Sequence, residues 1–258
     1  MVTIKKPEEI KIIKAGGKIL AGILAELEKK AQPGVTTGEL DKLAEELILS
    51  SGAVPSFKNY RGYPSDPCFP TTICASVNHQ LVHAPASDYI LQEGDNLSID
   101  IGMKYPAENG FFTDMAITVP IGRVSQLNRK LIKVTKTSLK LGIAQVRPGN
   151  YIHDISKAVQ DYVESQGFSV VRDLVGHGVG YQVHEDPRIP NYIDNRQKPV
   201  VLKEGMVLAI EPMVSVGDYR IKTMEEDGWT VVMLDNSLAA HFEHTVVVTK
   251  NGVEILTI

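Results

Sequence analysis

Two segments of this chain recur in the same order, and that recurrence limits the fold more than any other feature. "PGVTTGELDKLAEELILSSGA" begins at Pro33, and "PGNYIHDISKAVQDYVESQGF" begins at Pro148. Each opens on Pro-Gly, continues in a helical pattern and stops at a glycine, Gly52 or Gly167. Leu40 matches Ile155, and Lys42 matches Lys157. Further on, "LQEGDNLSIDIG" (91–102) matches "LKEGMVLAIEPM" (202–213). Both read Leu, then Glu-Gly, then an apolar strand whose last inward position is acidic, Asp100 or Glu211. The two offsets, 115 and 111 residues, nearly agree. Solenoid repeats run about 20–50 residues, so a period this long implies one duplicated domain. We expect a single domain over 1–258, of mixed α/β (α+β) class, with pseudo-repeats of about 10–120 and 129–250. Each half reads helix, helix, strands. Two such halves bury their apolar faces as one central sheet with helices packed outside. The stretch "IGRVSQLN" (121–128) is the expected join.

The amino-terminal "MVTIKKPEEIKIIKAGGKILAGILAELEKK" superficially resembles a secretion signal. Its apolar positions Ile10, Ile13, Gly17, Leu20, Leu24 and Leu27 instead advance by three and four residues, with charges on the other face. That is an amphipathic helix. No apolar run approaches the roughly 18–20 residues of a membrane span. Cys68 and Cys74 are too few for a disulfide framework, and with no secretory signal they read as reduced thiols of a cytoplasmic protein. The net charge of -4 and the lack of like-charge blocks argue against DNA or membrane partners.

Strand alternation fixes where the acids point. Asp100 lies opposite Leu97, Ile99 and Ile101. Glu211 lies opposite Leu208 and Ile210. By the same rule Asp114 in "FFTDMAITV" opposes Met115 and Ile117, and Glu243 in "HFEHTVVVT" opposes Phe242 and Val246. Four carboxylates from four apolar strands cannot share a dry site as bare anions. Either several are protonated or cations bind them. His177 and His184 stand nearby in the Gly-rich "GHGVGYQVHEDP". Carboxylates with an imidazole suit Mn, Fe, Co or Zn, and bridging carboxylates would hold two ions about 3.5–4 Å apart. The phosphate-loop, HExxH and GxSxG patterns are absent, and nothing in the sequence activates Cys74 as a nucleophile.

In order, His83, Asp100, Asp114, "GHGVG" with His177, "HEDP" with His184, "AIEPM" with Glu211 and "FEHTVVVT" with Glu243 resemble the type I methionine aminopeptidases, across essentially the whole chain. The resemblance implies the pita-bread fold. It implies that Asp100, Asp114, His177, Glu211 and Glu243 ligate two divalent ions, Co, Mn, Fe or Zn, with Asp114 and Glu243 touching both. It implies that a cation-activated water attacks the first peptide bond of a nascent polypeptide, with Glu211 shuttling the proton. His184 would stabilise the oxyanion, and His83 would contact the scissile amide. Phe69, Cys74 and Trp229 match positions of the pocket for the Met side chain, and a small second residue would be preferred. A cytoplasmic monomer in transient contact with the ribosome is the expected setting.

The chain also departs from the family pattern. "NYRGYPSDPCFPTTIC" is longer than the usual pocket run, leaving Tyr60 and Tyr63 as rival pocket tyrosines. "HAPAS" follows His83 where "HGIP" is common, and Val82 replaces a usual Cys. Gly102 stands where a water-binding Thr is often found, and "IGMKYPAENGFFT" lengthens the hairpin before Asp114. These differences touch substrate range more than chemistry. A proline-directed relative is disfavoured by the short amino-terminal region and by "FEHTVVV". A catalytically silent paralogue is disfavoured because all five ligands are kept.

Overall fold

The computed structural model describes residues 2–62 and 67–258. Tyr63, one of the two rival pocket tyrosines, lies outside them. The spacing that predicts an amino-terminal helix becomes α1 (Pro7–Lys30), which buries Ile13, Gly17, Leu20, Leu24 and Leu27 and leaves its charged face to solvent. The next helix is α2 (Thr37–Ser50). The strands of the first half are β1 (Val54–Pro55), β2 (Ile73–Val77), β3 (Gln80–Val82), β4 (Asn96–Tyr105) and β5 (Phe111–Pro120). Then come α3 (Gln126–Ile143), α4 (Ile152–Ser165), β6 (Ser169–Val170), β7 (Gly176–Gly178), β8 (Glu185–Ile189), β9 (Val207–Ile210) and β10 (Met213–Ser215). The chain finishes with β11 (Ile221–Thr223), β12 (Val231–Met233), β13 (Ala239–His241), β14 (Glu243–Thr249) and β15 (Gly252–Ile255).

The main sheet is curved, with neighbours in the order β1, β4, β5, β14, β9, β7, β8; β2 also pairs with β4, and β15 with β14. Every pairing in it is antiparallel. At its centre β5 of the first half meets β14 of the second, so β4 and β9 flank that seam at equal distance. Alternation then separates two tasks. Leu97, Ile99 and Ile101 pack under α1 and α2, while Leu208, Ile210, Val246 and Val248 pack under α3 and α4. On the opposite face the acids share the strands with a smaller apolar cluster, in which Val207, Ala209 and Val247 pack against Ile13 and Leu256.

The recurring segments build the same junction twice. Gly34 N–H donates to the Leu91 carbonyl (2.8 Å), and Leu91 N–H donates to that of Val35 (2.9 Å). Gly149 N–H donates to the Leu202 carbonyl (3.1 Å), and Leu202 N–H donates to that of Asn150 (2.7 Å). Both glycines hold left-handed φ, 93° and 90°, which explains the glycine after each proline. One turn later a carboxylate caps each helix. Glu39 accepts Thr36 N–H, and Asp154 accepts Tyr151 N–H, each at 2.7 Å.

Candidate active site

A cavity of about 290 Å³ lies over the centre of the main sheet, and all ten residues singled out in the sequence line it: His83, Asp100, Asp114, His177, His184, Glu211, Glu243, Phe69, Cys74 and Trp229. Each acid comes from a different strand or strand end. Asp100 sits on β4 opposite Ala116, Asp114 on β5 opposite Gly102, and Glu243 opens β14 opposite Ala116 as well. Glu211 follows β9, whose Ala209 pairs with His177 on β7. Adjacent strands lie about 4.8 Å apart, so neighbouring acids of one face meet without bending the backbone.

Burial makes this cluster unstable as bare anions. It drives the Asp100 carboxyl up to about 8, with Glu211 adding to the rise. Burial and mutual repulsion hold Asp114, Glu211 and Glu243 well above the usual carboxylate range. Asp100 Oδ1 and Glu243 Oε1 are buried with no hydrogen-bond donor. Asp114, His177 and Glu243 each offer one ligand atom within 4.8 Å of the others. Such groups must be protonated or meet a cation, and a hard, oxygen-rich set with one imidazole fits a divalent ion. His177 is prepared for that role. Its Nδ1 lies 2.9 Å from the Gly178 carbonyl, and its Nε2 faces Glu211 Oε1 at 3.4 Å. A proton on Nδ1 leaves the Nε2 lone pair free to ligate. Burial lowers the pKa of this imidazole to about 3.

Two further histidines edge the cavity. His83 follows β3 with φ of 59°, and burial holds its pKa near 4, so it is neutral at ordinary pH. His184 stands exposed at the rim, its ring 4.5 Å from that of His177. The Tyr60 hydroxyl lies 2.9 Å from His184 Nδ1 and so sets how that ring faces the cavity. Tyr60 also lines the cavity wall. Phe69 meets Trp229 edge-to-face at 5.3 Å, beside Phe57, Cys74 and Val183. Burial pushes the Cys74 thiol up, so it is a neutral, apolar part of that wall.

The sequence reading passed over His241. This residue is buried, lines the cavity, and points Nε2 at Glu211 Oε2 (3.5 Å) and Glu243 Oε2 (4.0 Å). The available signal was period two: His241 stands two residues before Glu243 and so shares its face. Gly102 now has a steric reason. A Cβ there would lie 2.3 Å from Ser56 Oγ and 3.0 Å from the Phe57 ring, so the space a side chain would take is already occupied by the segment after β1.

The model of metallopeptidase family M24 matches residues 11–250. A methionine aminopeptidase of Clostridium perfringens is 47% identical over 258 residues, covering 100% of this chain and 99% of the relative. The crystal structure of the Thermotoga maritima methionine aminopeptidase superposes with a TM-score of 0.92 at 43% identity, covering 100% of this chain and 99% of that one. A prolidase of Pyrococcus horikoshii shares the fold, with a TM-score of 0.78 at 24% identity over 99% of this chain and 63% of that one. The curved antiparallel sheet backed by four helices is the pita-bread fold. With full-length identity of this order and a cavity of buried acids and an imidazole fit to hold a cation, the chain belongs to metallopeptidase family M24, among its methionine aminopeptidases.

Proposed function

We propose that this protein removes the amino-terminal methionine from polypeptides, preferring a small second residue, with two divalent ions in the cavity. One observation carries the reading: the buried acids converge beside an aromatic and sulfur-lined wall, in a chain whose full-length relatives are named for this activity. Asp100, Asp114, His177, Glu211 and Glu243 would hold the ions. Divalent ions held there would supply Lewis acidity, offsetting the buried charge and lowering the pKa of water.

The chain's own groups then divide the work. Glu211 takes the proton from the attacking water and returns it to the departing amine. His184, with Tyr60 on its Nδ1, turns Nε2–H toward the carbonyl oxygen and stabilises the oxyanion. His83 contacts the scissile amide. Phe69, Cys74 and Trp229 receive the thioether side chain, which packs well against ring edges and sulfur.

Metal-stripped protein reloaded with Mn, Co, Fe or Zn should cleave Met-Ala-Ser and leave Ala-Pro-Phe intact. Cleavage of the proline peptide alone would overturn the proposal, and no cleavage with any metal would point to a silent relative.

The proposed setting is a cytoplasmic monomer that meets nascent chains at the ribosome. Cys68 and Cys74 are unpaired, and among the described residues no helix is long and apolar enough to cross a membrane. Between Asp114 and Asp154 there is no acid at all, yet Arg129, Lys130, Lys133, Lys136 and Lys140 line the exposed face of α3. Among the described residues, none of these five has a carboxylate within 4.0 Å. A local face of this kind suits a polyanion even on a chain of net charge -4. Co-sedimentation with ribosomes should weaken steeply with salt and drop when Lys133, Lys136 and Lys140 become Gln. Equal co-sedimentation of that variant would remove α3 from the contact.

A further inference from the structure

His184 sits at the end of a loop that leaves β7 after His177, so its position depends on whatever fixes residues 179–185. Two side chains from the amino-terminal strap before α1 (residues 2–6), Lys5 and Thr3, reach that loop. Lys5 Nζ lies 2.7 Å from Glu185 Oε2, with the two side chains only 1% and 6% exposed. Among the described residues no other Lys or Arg is paired at such depth. Thr3 Oγ1 donates to the same oxygen at 2.5 Å, and Lys5 Nζ also donates to Thr3 Oγ1. The other oxygen, Glu185 Oε1, accepts the backbone N–H groups of Tyr181 (2.6 Å) and Gln182 (3.0 Å). One carboxylate therefore ties the strap to the turn that delivers its neighbour, His184.

The strap is itself anchored. Lys5 N–H donates to the Gly205 carbonyl (2.8 Å). Its ammonium lies 4.9 Å from the Tyr181 ring centre, and the Tyr181 hydroxyl donates to Glu9 in the first turn of α1 (2.7 Å). The Lys5 stem lies against Gly180, where any Cβ would come within 2.6 Å of Lys5 Cε. Thr3, His177, His184 and Arg188 line one surface cleft, so the strap borders the site and is not remote from it.

A buried pair of this kind contributes little net stability against an apolar pair of the same shape, because desolvation offsets the attraction. Its value lies in direction: a charge-assisted bond fixes geometry where an apolar contact would not. We propose that Lys5 is a positioning residue, which acts through Glu185 to hold His184 in its working orientation. The inference rests on the catalytic role assigned above to His184.

The test is the variant Lys5→Met in the metal-loaded enzyme, with Lys5→Met/Glu185→Gln as a second variant that leaves no unpaired buried charge. Turnover of Met-Ala-Ser should fall at least tenfold in kcat with KM changed less than threefold, and metal affinity by calorimetry should stay within twofold. The double variant should be no slower than Lys5→Met. In a His184→Ala background, Lys5→Met should change kcat by less than twofold. Wild-type kcat in Lys5→Met would overturn the proposal, and so would an equal loss in the His184→Ala background, which would place the effect in folding or metal binding. The nitrogen resonances of the His184 ring in the Zn-loaded protein give a readout independent of turnover. They should shift or broaden in Lys5→Met, and an unchanged spectrum would refute the strap even if the cleavage reaction itself proved to be of another kind.

Discussion

Glu211 shows how much one carboxylate can be asked to do. It ends an apolar strand, faces His177 and His241 within 3.5 Å, and is held well above the usual carboxylate range by burial and by Asp114. A carboxylate so placed has oxygens to offer a cation and a raised proton affinity that suits it to take up a proton. Glu211→Gln should lower kcat by about 10²- to 10⁴-fold, as loss of an acid–base group does. His184→Ala, which removes the proposed oxyanion donor, should cost about 10²- to 10³-fold. Peptide kinetics with saturating metal checks both, and near-wild-type kcat in either variant would remove its assigned role. At this scale the sequence was legible wherever a residue carried charge on an apolar strand. His241, held neutral by burial, carries no charge to mark it, and only its alternation with Glu243 places it on that face.

At the scale of elements, close approach decides what a position tolerates. α1 lies so near the carboxyl-terminal segment that a Cβ on Gly17 would sit 2.3 Å from the Leu256 carbonyl oxygen, while one on Gly22 meets nothing within 4 Å. Gly17→Ala should therefore lower stability by about 1–3 kcal/mol through overpacking. Gly22→Ala should raise it by up to about 1 kcal/mol, since helical propensity improves and no clash arises. Denaturant unfolding of the two variants checks the contrast; equal effects would mean that α1 is not seated as described. Helix periodicity announced α1 and placed Gly17 on its inner face. That a backbone carbonyl from β15's end would press on it is a long-range contact that no local pattern carries.

For the whole molecule, the acids make metal and pH act together. In the metal-free protein the folded state binds protons that the unfolded chain releases, since Asp100 titrates near 8 against an ordinary value of 3.8. His83, His177, His241 and His244, held neutral by burial with pKa of about 3 to 4, oppose this trend below about 6.5, so stability should fall as pH rises from about 6.5 toward 8. Divalent ions should reverse the loss. At a hundredfold excess over Kd they contribute about 2.7 kcal/mol, a rise of several degrees in Tm. Thermal melts with and without chelator, at pH 6 and 8, check the sign: a metal effect no larger at pH 8 than at pH 6 would contradict it. The seam between β5 and β14 brings the two halves' acids to one place, so cations bound there could satisfy acids from four strands at once.

The recurrence of "PG" helices and "EG" strands, together with period-two alternation, determined from sequence alone that apolar faces would be buried under helices and that acids would share the opposite face. Those properties are local, set by the geometry of one strand or one helix turn. Tertiary structure alone decided which neighbours meet across the chain. It set His241 against Glu211, put Ser56 and Phe57 into the space above Gly102, and brought the Lys5 strap against Glu185. Such pairings depend on loop closure over tens to hundreds of residues, where the folded surface and not the local pattern selects the partner.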